Sequence, residues 1–196
     1  MNQKNKLIIL ASSSPRRKDL LSKMGVQFIV KPSTYKEVMD ETISPKKLAE
    51  NLAYGKSLSV AKKNKNAIII GADTFVVLHK TYLGKAKTKE EAKQMLQMLQ
   101  GKKHFVITGL CVIDTNTNKT FTKSVKTNVW VKKLSEHEID SYIATGEYLG
   151  KAGAYALQGK AILFIEKIEG DLNAAIGLPI KDLTEIFIAL KIPFSY

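Results

Sequence analysis

Short apolar runs alternate along the chain with segments whose apolar residues recur at helical spacing. The first run covers residues 7–11 and is followed by the polar turn 12–14, a pattern typical of a strand that ends in a loop. Pro15 suits the first position of a helix. We therefore expect a helix over 15–24 that ends at a glycine, and a short second strand over 28–30.

The rest of the chain continues this alternation. In the first half of this part, the pattern predicts a helix over 44–63, strands over 67–72 and 75–78, and a helix over 88–100. A hairpin of strands over 104–113 and 119–133 follows, and then a helix over 135–144 that a capping box at Ser135 and Glu138 opens. The last part is predicted to contain a glycine-rich loop over 146–159, a strand over 161–168, a loop over 170–179 and a closing helix over 181–190. The sequence therefore predicts a mixed α/β fold. We expect a mixed twisted sheet with flanking helices, in a single domain over 1–196 with two lobes around a cleft.

Composition narrows the class of protein. No apolar run approaches the length needed to span a bilayer, and the first apolar run is too short for a signal peptide. The single cysteine, Cys111, lies in a strand-like segment, where a packed thiol is preferred to a nucleophile. Since neither a disulfide nor a signal is expected, we predict a cytoplasmic protein without a membrane partner.

The net charge of +13 would attract polyanions. The lysines are spread along the whole chain and no known nucleic-acid-binding motif appears, so we expect a lysine-rich surface and no specific nucleic acid partner. The arginines differ, because the 31 Lys and Arg residues include only two Arg, the neighbours Arg16 and Arg17. The planar guanidinium fork matches phosphate geometry in a way that Lys does not.

Residues 7–17 combine a strand, a polar loop and a helix N-terminus. Free backbone N–H groups and the positive end of the helix dipole make such a unit a ready anion site. Cations at a helix N-terminus are unfavourable without an anion, so we prefer an anion site containing Ser12, Arg16 and Arg17 to an ordinary capped helix. The loop lacks the glycines of a Walker A motif.

Asp73 follows the apolar residues 67–72. A carboxylate in this position is partly desolvated and is usually kept by a metal, a cation or a role in proton transfer. We prefer such a role to the alternative that Asp73 caps a turn. Lys56 and Lys85 could reach a phosphate, but their spacing does not distinguish them from other lysines. The glycine-rich segment 150–159 is a weak candidate for reading a base.

Six motifs follow one another in an order that resembles the Maf family of nucleoside triphosphate pyrophosphatases. They are LASSSPRRKDLL at 10–21, GADT at 71–74, LGK at 83–85, LQGKKH at 99–104, KAGAYALQG at 151–159 and GLP at 177–179. Together they cover nearly the whole chain. The chain departs from the family pattern at Ser57 and Ala86, and its acidic segment near Glu37 aligns loosely.

The resemblance implies an α/β fold shared with the inosine triphosphate pyrophosphatase group (Maf/Ham1), dependence on a divalent metal, Mg²⁺ or Mn²⁺, and a homodimer. The form of the 151–159 motif resembles the branch that acts on dTTP and UTP. By matching motifs, the resemblance assigns substrate binding to Ser12, Arg16, Arg17, Lys56, Thr74, Lys85 and Gln158. It assigns metal binding to Glu37 and Asp73.

The implied reaction is hydrolysis of a nucleoside triphosphate to the monophosphate and pyrophosphate, by attack of water on the α-phosphorus. Asp73 would be the general base or a metal-associated carboxylate, and Arg16 and Lys85 would neutralise charge on the leaving group. Two alternatives stay open. The substrate could be a modified or damaged nucleotide, or the protein could be a nucleotide-sensing regulator of cell division, or a nucleic-acid-associated protein, that binds without turnover.

Overall fold

The computed structural model describes residues 6–195. The strands are β1 (Leu7–Leu10), β2 (Ile29–Val30), β3 (Ala67–Leu78), β4 (Thr81–Leu83), β5 (Lys103–Asp114), β6 (Thr120–Val131) and β7 (Ile165–Glu169). The helices are α1 (Pro15–Ser22), α2 (Pro45–Ala61), α3 (Lys89–Leu99), α4 (Glu136–Ala144), α5 (Leu172–Ile176) and α6 (Ile180–Ala189). The predicted capping box at Ser135 and Glu138 opens α4 and is confirmed.

A seven-stranded sheet forms the middle layer, in the order β2-β1-β3-β5-β6-β7, with β4 paired to β3. β1 is parallel to β2 and β3, and the other pairs are antiparallel. α2 packs on one face, while the large apolar cluster on the other face draws side chains from α1, α3, α4, α5 and α6. The mixed α/β fold is confirmed. No helix within residues 6–195 is long and apolar enough to cross a membrane.

Two glycines let α2 lie close against the sheet. A Cβ on Gly109 of β5 would come within 2.0 Å of the Ala49 carbonyl oxygen, and one on Gly71 of β3 within 2.3 Å of the Ser57 hydroxyl oxygen. Any larger residue would push the helix outward, because such contacts are shorter than real Cβ atoms allow. This close approach brings Lys56, on the inner side of α2, down to the level of β3.

The expected break between two strands at Asp73 and Thr74 is wrong. β3 continues through both residues, which pair with Gly109 and Thr108 of β5 in an unbroken antiparallel register. The polar pair therefore lies within a strand rather than at its end. Asp73 nevertheless stands beyond the end of a strand, since the parallel neighbour β1 pairs with β3 only as far as Ile70.

Two later expectations also need correction. The strand expected over 161–168 begins instead as a 3₁₀ helix over Lys160–Phe164, because the Glu147 carboxylate accepts the N–H groups of Lys160 and Ala161 at 2.9 and 3.3 Å. The loop expected over 170–179 contains α5, whose N-terminus is capped by Asp171, with its carboxylate accepting from the Ala174 N–H. The packed thiol predicted at Cys111 is confirmed, since that side chain is fully buried.

Candidate active site

A gap along one edge of β3 opens the candidate site. β5 covers the other edge of β3 from residue 68 to residue 77. On the open edge, the pairing with β1 stops at Ile70 and the pairing with β4 starts at Val76, which leaves residues 71–75 without a neighbouring strand on that edge. A cleft of about 450 Å³ lies there and reaches Asp73 and Thr74. Because successive side chains of a strand point to opposite faces, Asp73 faces α2 and Thr74 faces the opposite layer.

The loop after β1 forms one wall of the cleft. Ser12, Ser13 and Ser14 line it together with the first turn of α1. Ser14 occupies the predicted N-cap position, but its side chain makes no capping hydrogen bond. The Ser12 hydroxyl instead accepts from the Ser14 N–H at 3.2 Å, which folds the loop back over the helix end. The N-terminus of α1 thus borders the cleft, as an anion site requires.

The two neighbouring arginines have different surroundings. Consecutive helical residues point about 100° apart. Arg17 is turned inward, where its Nε donates to the Gly177 carbonyl at 2.8 Å, Nη1 to the Ser12 hydroxyl at 3.2 Å and Nη2 to the Thr74 hydroxyl at 3.0 Å. Burial lowers the pKa of the Arg17 guanidinium, and the charge of Asp73 acts in the opposite direction. All three nitrogens of Arg17 are therefore held by the protein.

Arg16 is far less constrained. The one hydrogen bond that it makes within residues 6–195, from Nη2 to the Gly150 carbonyl, is long at 3.4 Å. Burial and the charge of Arg17 lower the pKa of Arg16, and burial and the charge of Arg16 lower the pKa of Lys151. These cations repel one another around a shared space, which an anion in the cleft would relieve. Arg16 is thus the arginine with donors available for a ligand.

Lys56 lies between two carboxylates on the opposite wall. Its Nζ is 2.6 Å from the Glu37 Oε1 and hydrogen-bonds the Asp73 Oδ1. The Lys56 and Asp73 side chains are almost fully buried, whereas Glu37 is 39% exposed. Burial alone would raise the pKa of Glu37, but the hydrogen bond and charge of Lys56, with the charges of Lys85 and Arg17, outweigh it and hold that pKa below its ordinary value.

Lys85 joins the rim of the cleft through a small tertiary pairing. It forms an isolated antiparallel bridge with Ala152, and the Gly153 N–H donates to the Gly84 carbonyl at 2.9 Å. These bonds tie the segment after β4 to the glycine-rich loop over 146–159. The exposed side chain of Lys85 can therefore reach the same cleft as Arg16.

The structure brings eight of the nine predicted site residues to this cleft. They are Ser12, Arg16, Arg17, Glu37, Lys56, Asp73, Thr74 and Lys85. Gln158 is exposed and does not line the cleft, although its neighbours Tyr155, Ala156 and Leu157 do. A contact between Gln158 and substrate stays a prediction from the family resemblance.

The carboxylates suit a divalent metal. Glu37 and Asp73 approach a single ammonium group, so their oxygens surround one small region, and carboxylate oxygens are the ligands that Mg²⁺ and Mn²⁺ prefer. Within residues 6–195, no group of three or more His, Cys, Asp and Glu side chains is placed to hold an ion. Phosphate and water commonly supply the further oxygen ligands of a bound Mg²⁺.

Sequence reasoning missed two buried polar contacts next to the cleft. Thr108 of β5 bonds to Thr74 at 2.8 Å, and His104 Nε2 lies 2.6 Å from the Tyr155 hydroxyl. In each contact the two residues are far apart in the sequence, and a Thr or His within a strand gives no local pattern that predicts its partner. His104 belongs to a motif of the resemblance, and that motif was the one available clue.

A second groove, of about 910 Å³, lies by the start of β1 and the residues after α6. It is larger than the cleft, but Lys6 is the one charged residue among its described lining. None of these described lining residues carries a carboxylate for acid–base chemistry. The smaller cleft is therefore the better candidate for catalysis.

Comparisons with known proteins agree with the motifs. A family model described as "Maf-like protein" matches residues 7–190. A protein named dTTP/UTP pyrophosphatase from Alkaliphilus metalliredigens (strain QYMF) is 47% identical over 180 residues, which is 91% of this chain and 93% of that protein. A protein of the same name from Thermoanaerobacter sp. (strain X514) is 48% identical, over 91% of this chain and 94% of its own length. Another, from Methanosarcina barkeri (strain Fusaro / DSM 804), is 44% identical over 91% of each chain.

Proposed function

Because the chain belongs to the Maf-like protein family, we propose that it is a hydrolase that cleaves dTTP and UTP to the monophosphate and pyrophosphate. The names of relatives that match over most of their length support these substrates. The observation that carries the proposal is the arrangement at the gap in β3. One wall presents a helix N-terminus with arginines, and the other presents the buried Asp73 and the partly exposed Glu37.

The first wall fits the triphosphate. Arg16 has guanidinium donors available, Lys85 adds a charge at the rim, and the Ser12 loop offers the end of α1. Charge develops on the pyrophosphate as the bond to the α-phosphorus breaks, and positioned cations lower the free energy of that state. In this proposal Arg16 and Lys85 bind and neutralise the leaving group, while Arg17 fixes the shape of the wall and offers its remaining N–H groups.

The second wall fits the attacking water. Asp73 is buried, keeps one carboxylate oxygen outside its bond to Lys56, and can orient or deprotonate a water next to the α-phosphorus. Glu37 and Asp73 would hold Mg²⁺ or Mn²⁺, which supplies charge neutralisation on the phosphates. Lys56 then serves as a second cation near the reacting phosphate. Thr74 accepts a hydrogen bond from Arg17 and so helps to hold that arginine at the wall that binds the triphosphate.

Three further properties stay predictions from the sequence and from the family resemblance. We expect the protein to act as a homodimer in the cytoplasm, with Gln158 contacting the substrate. Modified pyrimidine nucleotides are a second candidate substrate class within the same chemistry.

Two variants test the assigned roles. Asp73→Asn removes the base while keeping the size of the side chain, and we expect pyrophosphate release from dTTP and UTP to fall by about 10²–10⁴-fold. Asp19→Asn, an exposed change on α1, is the matched control and should retain wild-type turnover. Near-wild-type activity of the Asp73 variant would refute its assigned role.

Arg16→Lys and Arg17→Lys separate binding from architecture. The first keeps the charge but loses the bidentate fork, so it should lower kcat/KM with little change in Tm. The second removes the hydrogen bonds that Arg17 makes to Gly177, Ser12 and Thr74, and it should therefore lower Tm as well. Equal effects of the two changes on Tm would contradict the division of roles between the arginines.

A panel of standard and modified triphosphates decides between enzyme and regulator. Turnover of dTTP or UTP supports the proposal. Tight nucleotide binding without turnover of any member of the panel would favour the nucleotide-sensing regulator.

A further inference from the structure

The hydrogen bonds of Arg17 continue into the sheet through two hydroxyl groups. Arg17 Nη2 lies 3.0 Å from the Thr74 Oγ1, which lies 2.8 Å from the Thr108 Oγ1. Thr108 Oγ1 in turn lies 2.6 Å from the carbonyl oxygen of Ala174 in α5. Thr108 is fully buried on β5, opposite Thr74 in the strand register, and it does not line the cleft.

Counting the available protons fixes the direction of every bond in this series of hydrogen bonds. The Ala174 carbonyl can only accept, so Thr108 must donate its single hydroxyl proton to it. Thr108 can then only accept from Thr74, and Thr74, having used its own proton, can only accept from Arg17. The three bonds therefore point the same way, from the guanidinium to the carbonyl of Ala174.

We propose that Thr108 is a positioning residue for substrate binding, which holds Thr74 as an acceptor and thereby fixes the Arg17 guanidinium at the triphosphate wall. The inference rests on the proposed function, because it assumes that this wall binds a triphosphate. Arg17 is fastened to the α5 region twice. It donates directly to the Gly177 carbonyl and reaches the Ala174 carbonyl through the two hydroxyls. One anchor point within a short helix and one at the residue that follows it set both the position and the tilt of a planar group.

The chain offers a close control in Thr127 of β6. Thr127 is also fully buried on the same face of the sheet, and its hydroxyl donates to the Asp171 carbonyl at 2.8 Å, just before α5. It makes the same type of bond to the same segment, but no described hydrogen bond links it to Arg17. Loss of the Thr127 hydroxyl thus reproduces the structural cost of losing that of Thr108 without disturbing the arginine.

The kinetic test compares Thr108→Val, Thr108→Ser and Thr127→Val on dTTP and UTP. We expect Thr108→Val to lower kcat/KM by about 10-fold, because it removes two neutral hydrogen bonds and leaves the hydroxyl that accepts from Arg17 without a fixed orientation. Thr127→Val should stay within about 2-fold of wild type despite a similar loss of Tm, and Thr108→Ser should restore most of the activity because it keeps the hydroxyl. Equal losses for the two valine variants, or no rescue by serine, would overturn the inference.

A second readout does not depend on turnover. With two arginines in the sequence, the side-chain Nε–H region of a ¹⁵N NMR spectrum holds two arginine signals. The Arg17 signal, protected by its bond to Gly177, should shift and exchange faster with water in Thr108→Val but not in Thr127→Val. An unchanged Arg17 signal would overturn the inference. If Thr108→Val does not fold, Thr108→Ala removes the same hydroxyl and carries the same comparison.

The two proposals fail in different ways. Wild-type protein that turns over no triphosphate contradicts the proposed function, and the NMR comparison then still decides whether Thr108 positions Arg17. Wild-type turnover with equal losses in both valine variants contradicts the role of Thr108 alone.

Discussion

Replacing Lys56 with Met tests the charge arrangement at the carboxylate wall. Lys56 is 7% exposed and its ammonium contacts both Glu37 and the 5%-exposed Asp73. Met has a similar length and keeps the packing of the stem of Lys56 against the sheet, but it removes the cation that lies between the two carboxylates. The change therefore isolates the charge from the packing.

The expected cost follows from burial. Removing one partner of a buried ion pair costs about 3–5 kcal/mol, since the remaining charge stays desolvated and unpaired. Asp73 accounts for most of this cost, because Glu37 is partly solvated and its share is screened. We expect about 3 kcal/mol, the lower end, because the cleft admits water. In a chain of this size the loss corresponds to a Tm lower by about 6–12 °C.

Thermal unfolding at neutral pH, followed by circular dichroism, measures the effect. Lys167→Met is the control, because that residue pairs with Glu169 on the exposed surface and should change Tm little. Adding Asp73→Asn to the Lys56 variant removes the unpaired charge and should recover most of the loss. A Lys56 variant with wild-type Tm, or a double variant that is less stable than either single one, would refute the reasoning. Mn²⁺ without nucleotide should also stabilise the Lys56 variant more than the wild type.

Two other predictions concern stability away from the phosphate wall. Burial lowers the pKa of His104 from 6.5 to about 4, so the unfolded chain takes up a proton before the folded one as the pH falls. The free energy of unfolding should decrease by up to about 3 kcal/mol as the pH falls from 6.5 to 4. In chemical denaturation, His104→Gln should abolish that part of the pH dependence. Identical profiles of unfolding free energy against pH for the wild type and the variant would contradict this. Gly109→Ala would place a Cβ 2.0 Å from the Ala49 carbonyl oxygen and should cost at least about 1–3 kcal/mol, whereas Gly84→Ala, with no atom within 4 Å, should be nearly neutral.

Local patterns predicted most of the helices and strands. α1, α2, α3 and α4 begin within a residue or two of their predicted starts, because Pro15, Pro45, Thr88 and Ser135 are strong local start signals. The long β5–β6 hairpin was equally clear from its two apolar runs and polar turn. These elements depend on residues that are neighbours in sequence, which is why the sequence alone predicted them.

The errors occurred where distant residues decide the structure. Asp73 and Thr74 looked like a turn, but they remain in β3 because β5 pairs with the strand throughout. Residues 160–164 form a 3₁₀ helix because Glu147 accepts their first N–H groups. No local pattern records either contact.

The sequence predicted which residues lie together in the cleft, with the exception of Gln158, but it did not predict that the two arginines differ. The sequence identified Arg16 and Arg17 as one anion-binding pair, whereas the structure fastens Arg17 to the protein and leaves Arg16 more open. The angular separation of neighbours on a helix could have indicated that they differ. Two of the three acceptors of Arg17 lie far away in the sequence, in β3 and after α5, so the full set of its hydrogen bonds could not be predicted from the sequence.

The position of bond cleavage tests the central claim most directly. The protein is incubated with dTTP or UTP and a divalent metal in ¹⁸O-labelled water, and the products are analysed by mass spectrometry. Attack of water on the α-phosphorus predicts equal amounts of monophosphate and pyrophosphate, with the label in the monophosphate. Label in pyrophosphate, release of inorganic phosphate with a nucleoside diphosphate, or no product from either nucleotide would contradict the account.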